Sequence, residues 1–264
     1  MTERMLQRPD APALRYWDDG GEKPALVLIH GVGADATSWD QIAAALAPEF
    51  RVLRLDLRGH GSSGHIEGTL ALDDFVQDVV DVLDACTVPT AHVVGFSLGG
   101  MIAQGVALQH AHRVHRLVLL SAVAGRTAEE REQVQTRLAI LREQGIAAIT
   151  GAAQERWFTT GFIARNPDLV DRRMRQLREN HPPSYAAAYT VFSTSDLGGH
   201  LHAIRAPTLI ATGEDDIGSN TRMARFMHEE IKGSRLEILP NLRHSILVEA
   251  PELVTRLVRD FLRE

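Results

Sequence analysis

The chain has 264 residues, 44% of them hydrophobic and 23% charged, with a formal net charge of −6. A chain of that size can bury about 70–75% of its unfolded surface, and its acidic balance, without any basic block, argues against a nucleic-acid partner. The single Cys86 excludes an internal disulfide, no apolar h-region follows Met1, and no segment approaches the ~18 uninterrupted apolar residues of a membrane span, so a cytoplasmic chain is expected.

Short apolar runs alternate with helical patterns along the chain. Strands are predicted over residues 13–17, 25–30, 51–56, 91–95, 116–121, 208–212 and 235–239. Those after the first are β-branched or leucine-rich and nearly continuous in apolar character, as strands covered on both faces are. The second run leads into His30-Gly31-Val32-Gly33, whose glycines let the backbone approach a ligand closely. The third leads into Asp56-Leu57-Arg58-Gly59-His60-Gly61, where Arg58 and His60 read as ties between loops rather than reacting groups. A helix is predicted over 73–84, with Phe75, Val76, Val79, Val80 and Leu83 on one stripe. Cys86, at the end of that pattern, reads as a small apolar residue. Strand-helix alternation of this kind predicts a mostly parallel, doubly wound sheet with helices on both sides.

The run 91–95 leads into Gly95-Phe96-Ser97-Leu98-Gly99, and a helical segment follows over 100–108. Strand, G-x-S-x-G and helix together describe a nucleophile elbow. The turn is so sharp that side chains at Gly95 and Gly99 would collide with the adjoining elements, while the Ser97 hydroxyl is lifted clear of the sheet. Leu98 then offers its N–H at a helix N-terminus, where developing negative charge is favoured.

The rhythm breaks between residues 125 and 205. No convincing strand occurs there; charged helices are predicted over 128–144 and 168–180, with breaks at Gly145, Pro167, Pro182 and Pro183. A helical lid inserted between two strands is expected, with 1–124 and 206–264 forming the core. Within the lid the apolar pair Trp157-Phe158 sits in a charged segment and is expected at the lid–core contact or in a substrate pocket.

A serine needs a base to take its proton and a third group to orient that base. In sheets of this type the chain order is nucleophile, acid, histidine, each on a loop at the carboxyl end of a strand. Gly213-Glu214-Asp215-Asp216 follows the strand at 208–212, and Pro240-Asn241-Leu242-Arg243-His244 follows the strand at 235–239. His244 is therefore the expected base, with the acid at Asp215 or Asp216. His110, His112 and His115, and the pair His200 and His202, lack a companion carboxylate or cysteine at ligand spacing, so no metal is expected. Gly31-Val32-Gly33 lacks the later glycine and acidic residue of a dinucleotide site, so no nicotinamide cofactor is expected either.

The blocks His30–Gly33, Asp56–Gly61, Gly95–Gly100, Gly213–Asp216 and His244, in this order over nearly the whole chain, resemble the α/β-hydrolase fold superfamily. The resemblance implies an acid three residues after Gly213, which is Asp216, and a second oxyanion donor at the Val32 N–H beside that of Leu98. Ile217-Gly218-Ser219-Asn220 departs from the pattern, in which a proline is common. Within the superfamily the elbow and the segment Glu155-Arg156-Trp157-Phe158-Thr159 look most like the 3-oxoadipate enol-lactonase group. That implies cofactor-free hydrolysis of a small ester or lactone, with Arg126, Arg137 or Arg156 as candidate partners of a substrate carboxylate. A carbon–carbon bond hydrolase of ring-fission products, an amidase, or a ligand receptor with little turnover would share these blocks.

Overall fold

The computed structural model describes residues 2–66 and 68–264. Eight strands form one sheet: β1 (Thr2–Leu6), β2 (Leu14–Asp18), β3 (Ala25–Ile29), β4 (Arg51–Leu55), β5 (Ala91–Phe96), β6 (Val114–Leu120), β7 (Thr208–Gly213) and β8 (Arg235–Leu239). Their spatial order is β1-β2-β4-β3-β5-β6-β7-β8. The strands from β4 to β8 pair in parallel, while β2 runs antiparallel to both β1 and β4.

The central strands are apolar because both sheet faces are covered. Along β3, Val27 and Ile29 join the cluster on one face and Leu26 and Leu28 the cluster on the other, all of them fully buried. The first face is covered by α2 (Leu72–Ala85), α3 (Leu98–Gln109) and α9 (Thr221–Glu230); the second by α1 (Asp40–Leu46), the short α10 (Ile246–Glu249) and α11 (Pro251–Arg263). This is the mostly parallel, doubly wound sheet with helices on both sides expected from the sequence.

Between β6 and β7 the chain makes five α-helices: α4 (Ala128–Gln144), α5 (Ile146–Trp157), α6 (Thr160–Arg165), α7 (Pro167–Arg178) and α8 (Pro182–Thr194). Their boundaries follow local chemistry. Thr127 and Glu130 form a reciprocal capping box at the start of α4, Gly145 ends it at φ +77°, and prolines occupy the first turn of α7 and α8, where no N–H is missed. Val134, Leu138, Ile149, Tyr185 and Ala188 of this insertion belong to the same apolar cluster as the first sheet face. Phe158, Phe162, Val170 and Met174 form a small separate cluster within it.

One strand escaped the sequence reading. β1 is an edge strand whose residues Thr2 to Met5 are exposed on both faces, so it carries no apolar alternation to betray it.

Candidate active site

Ser97 sits between β5 and α3 with φ +55° and ψ −116°, a conformation that a residue with a side chain adopts only under strain of order 1–3 kcal/mol. The tightness of the turn accounts for its neighbours. A Cβ on Gly95 would meet the carbonyl of Gly99, and one on Gly99 would meet the carbonyls of Ile29 and His30 at the end of β3. Glycine at both positions therefore lets β5, α3 and β3 converge beneath the serine.

The loops after β7 and β8 bring two further side chains to it. His244 Nε2 lies 3.1 Å from Ser97 Oγ, and His244 Nδ1 lies 2.7 Å from Asp216 Oδ2. A carboxylate facing Nδ1 favours the tautomer that donates there, which leaves Nε2 free to accept the serine proton. The other carboxylate oxygen, Oδ1, accepts the backbone N–H groups of Gly218 and Ser219, each at 2.9 Å. Burial by itself pushes the Asp216 carboxyl upward, yet His244 and these two donors hold it below the usual carboxylate range. The same two bonds shape the loop that lacks a proline, because Asp216 closes its own turn. Asp215 is exposed, and its N–H donates to the Leu242 carbonyl.

Val32 lies on the cavity wall near Ser97, and Leu98 opens α3. Among the described residues neither backbone N–H has a protein acceptor. The loop carrying Val32 is tied down by His30, whose Nε2 accepts the Leu57 N–H at 3.0 Å while Nδ1 donates to the Gly31 carbonyl at 2.8 Å. Acceptance at Nε2 requires a neutral imidazole, and burial lowers the His30 pKa to about 4. In the sequence His30 stands only at the head of a glycine loop; its anchoring role depends on the distant contact with Leu57. Arg58 pairs with Asp78 at 2.5 Å, and His60 Nδ1 lies 3.0 Å from the Arg58 carbonyl. Neither lines the cavity, in keeping with a role as loop ties.

A cavity opens above Ser97, with Val32, Phe96 and His244 on its floor and walls. The insertion forms much of its wall. Trp157 lines it, whereas its neighbour Phe158 is fully buried against Phe162 and does not. The adjacent aromatic residues divide because α5 ends between them: Trp157 is its last residue and Phe158 turns into the small insertion cluster. Arg126, Arg137 and Arg156 also line the cavity, and α7 adds Arg173, which no local pattern singled out. Arg173 donates to the Gly33 carbonyl at 2.8 Å and lies 5.1 Å over the Trp157 ring.

Comparison with known proteins places the geometry in context. Residues 26–257 match the model of the alpha/beta hydrolase family. The chain is 30% identical over 247 residues to 3-oxoadipate enol-lactonase 2 of Acinetobacter baylyi, covering 93% of this chain and 91% of that one. It is also 30% identical over 265 residues to the (E)-2-((N-methylformamido)methylene)succinate hydrolase of the same organism, covering 99% and 98%. Among solved structures, the enol-lactonase from Burkholderia xenovorans superposes with a TM-score of 0.91 at 29% identity, covering 97% of this chain and 98% of that one.

Proposed function

The chain belongs to the alpha/beta hydrolase family, and from that premise we propose that it is a cofactor-independent serine hydrolase opening a small ester or lactone through an acyl-enzyme. The observation that carries this reading is the chain of contacts from Ser97 Oγ to His244 Nε2 at 3.1 Å and from His244 Nδ1 to Asp216 at 2.7 Å. In the proposed reaction Ser97 Oγ attacks the carbonyl carbon as its proton passes to His244 Nε2. Asp216 keeps the imidazole oriented and stabilises the imidazolium. The Val32 and Leu98 N–H groups receive the oxyanion. Collapse of the tetrahedral intermediate breaks the carbon–oxygen bond, and the leaving oxygen takes the proton from His244. Water, deprotonated by the same nitrogen, then releases the acid and restores the serine.

The enol-lactonase relatives favour a lactone, and in an enol-lactone the leaving group would be a stabilised enolate. The helical insertion, residues 125–205, serves in this reading as the lid that selects the substrate, with Trp157 on its inner wall. A panel of short-chain esters, lactones and amides tests the reading. Measurable turnover with a preference for lactones over linear esters is expected, together with labelling of Ser97 by a fluorophosphonate. Binding of the panel compounds without turnover would mark a receptor, and preference for amides or ring-fission diketones would move the substrate class.

A further inference from the structure

Four arginines line the cavity that Ser97 and His244 face: Arg126, Arg137, Arg156 and Arg173. Two have evident work within the protein. Arg126 donates to the Phe192 and Ser195 carbonyls at 2.8 and 3.1 Å, closing the C-terminal end of α8. Arg173 holds the Gly33 carbonyl of the loop after β3. Arg137 and Arg156 differ. Arg137 makes a single hydrogen bond, from Nε to the Tyr189 hydroxyl at 3.3 Å, and Arg156 makes none among the described residues. Both are half-buried, and neither forms an ion pair among the described residues.

The acids nearby are already engaged. Glu130, on the same cavity wall, accepts from Arg222 at 2.5 Å, from Asn220 at 2.7 Å and from the Thr127 N–H at 2.7 Å. Asp196 accepts the N–H groups of Gly125, Arg126 and Gly198. Burial, and after it the charge of Arg137, lowers the Arg156 pKa, so the two cations destabilise each other where they stand. Two like charges partly withdrawn from water, without counter-ions among the described residues, disfavour each other. A ligand that supplies negative charge stabilises both, and each planar guanidinium matches one carboxylate.

We propose that Arg137 and Arg156 form an anion subsite for a dicarboxylate, so that the acid part of the substrate carries two free carboxylates besides the carbonyl presented to Ser97. The proposal deepens the hydrolase reading and rests on it for the position of that carbonyl. A single carboxylate would leave one guanidinium charge unbalanced; two neutralise the pair.

The test separates binding from turnover. Binding of dimethyl glutarate, monomethyl glutarate and glutarate to the Ser97→Ala protein is measured by calorimetry. Affinity is expected to rise by about tenfold with each carboxylate exposed, the gain of one charge-assisted pair. Arg156→Gln and Arg137→Gln should each remove one step, and Arg156→Lys should recover part of its own. Wild-type kcat/KM for the p-nitrophenyl monoester of propane-1,2,3-tricarboxylic acid, relative to p-nitrophenyl butyrate, should fall by about tenfold in each Gln variant. Glutarate binding no tighter than its monomethyl ester would overturn the proposal, as would Gln variants that weaken charged and neutral ligands alike. Hydrolysis of the butyrate ester without any advantage for the charged ester would also overturn the subsite and leave the hydrolase reading standing. Arginine-dependent glutarate binding by a protein that hydrolyses nothing would do the reverse.

Discussion

Each proposed catalytic residue owes its position to a different strand end, and each can be questioned separately. Ser97→Ala is expected to lower kcat by roughly 10³-fold or more without shifting the melting temperature, since among the described residues the side chain's one hydrogen bond is to His244. Peptide mapping after fluorophosphonate treatment should find the label on Ser97 in the wild type and nowhere in the variant. The neighbouring aspartates offer a sharper comparison. Asp216 is buried and uses both oxygens, whereas Asp215 is exposed. Asp216→Asn should therefore cost roughly 10²- to 10⁴-fold in kcat, as the amide can no longer accept from both sides in the required pattern. Asp215→Asn should stay within about twofold of wild type. A larger loss from Asp215→Asn would move the orienting acid one residue along the loop.

At the scale of elements, the insertion grips the loops that carry the site rather than hanging free above them. The Ser245 N–H, next to His244, donates to the Trp157 carbonyl at 2.9 Å. Thr159 donates through its N–H and hydroxyl to Glu249 at 2.9 and 2.7 Å. On the other flank, Arg173 and Asn180 both donate to the Gly33 carbonyl. Movement of α5 or α7 would thus be felt at His244 and at the loop after β3. The two adjoining aromatics of the insertion should behave oppositely when truncated. Trp157→Ala, on the cavity wall, should change relative kcat/KM among acyl groups several-fold with a small stability loss. Phe158→Ala, wholly buried against Phe162, should cost about 3–5 kcal/mol and leave the order of substrate preference intact. Thermal melts and a shared ester panel read both outcomes, and a reversal would exchange the two roles.

For the whole molecule, three buried histidines tie stability to pH. Burial lowers the pKa of His30 to about 4, of His60 to about 3 and of His92 to about 4. In the unfolded chain each would titrate near 6.5. Below that pH the unfolded state takes protons that the folded state refuses, so stability is full above about 6.5 and falls with pH until about 4 for His30 and His92 and about 3 for His60. Each histidine contributes up to about 1.4 kcal/mol per pH unit within that window. Asp56 and Glu249, raised chiefly by burial, take protons earlier in the folded state and oppose part of the loss. Urea midpoints at pH 7.5, 6 and 5 should decline steeply. His92→Leu should flatten that decline, because His92 lies on β5 between Phe50 and His115, outside the catalytic cavity. An unchanged slope in this variant would remove His92 from the account.

Local physics made much of this protein readable from its residues. The five central strands, β3 to β7, carry apolar runs because both sheet faces are covered, whereas edge strand β8 is only half-buried; the elbow announces itself through glycines that only a close approach of backbones demands. The insertion was visible as a loss of strand rhythm, and its capping box, Gly145 and N-terminal prolines are one-turn signals. Polar β1 was invisible because an edge exposed on both faces needs no pattern. Tertiary packing alone decided that Trp157 reaches the cavity while Phe158 does not, and that His30 grips the backbone of Leu57. It also drew Arg137 from α4, Arg156 from α5 and Arg173 from α7 to one wall. Periodicity reports which face of an element is buried, but the side chains that meet across helices depend on crossing angles and distances that no single segment encodes.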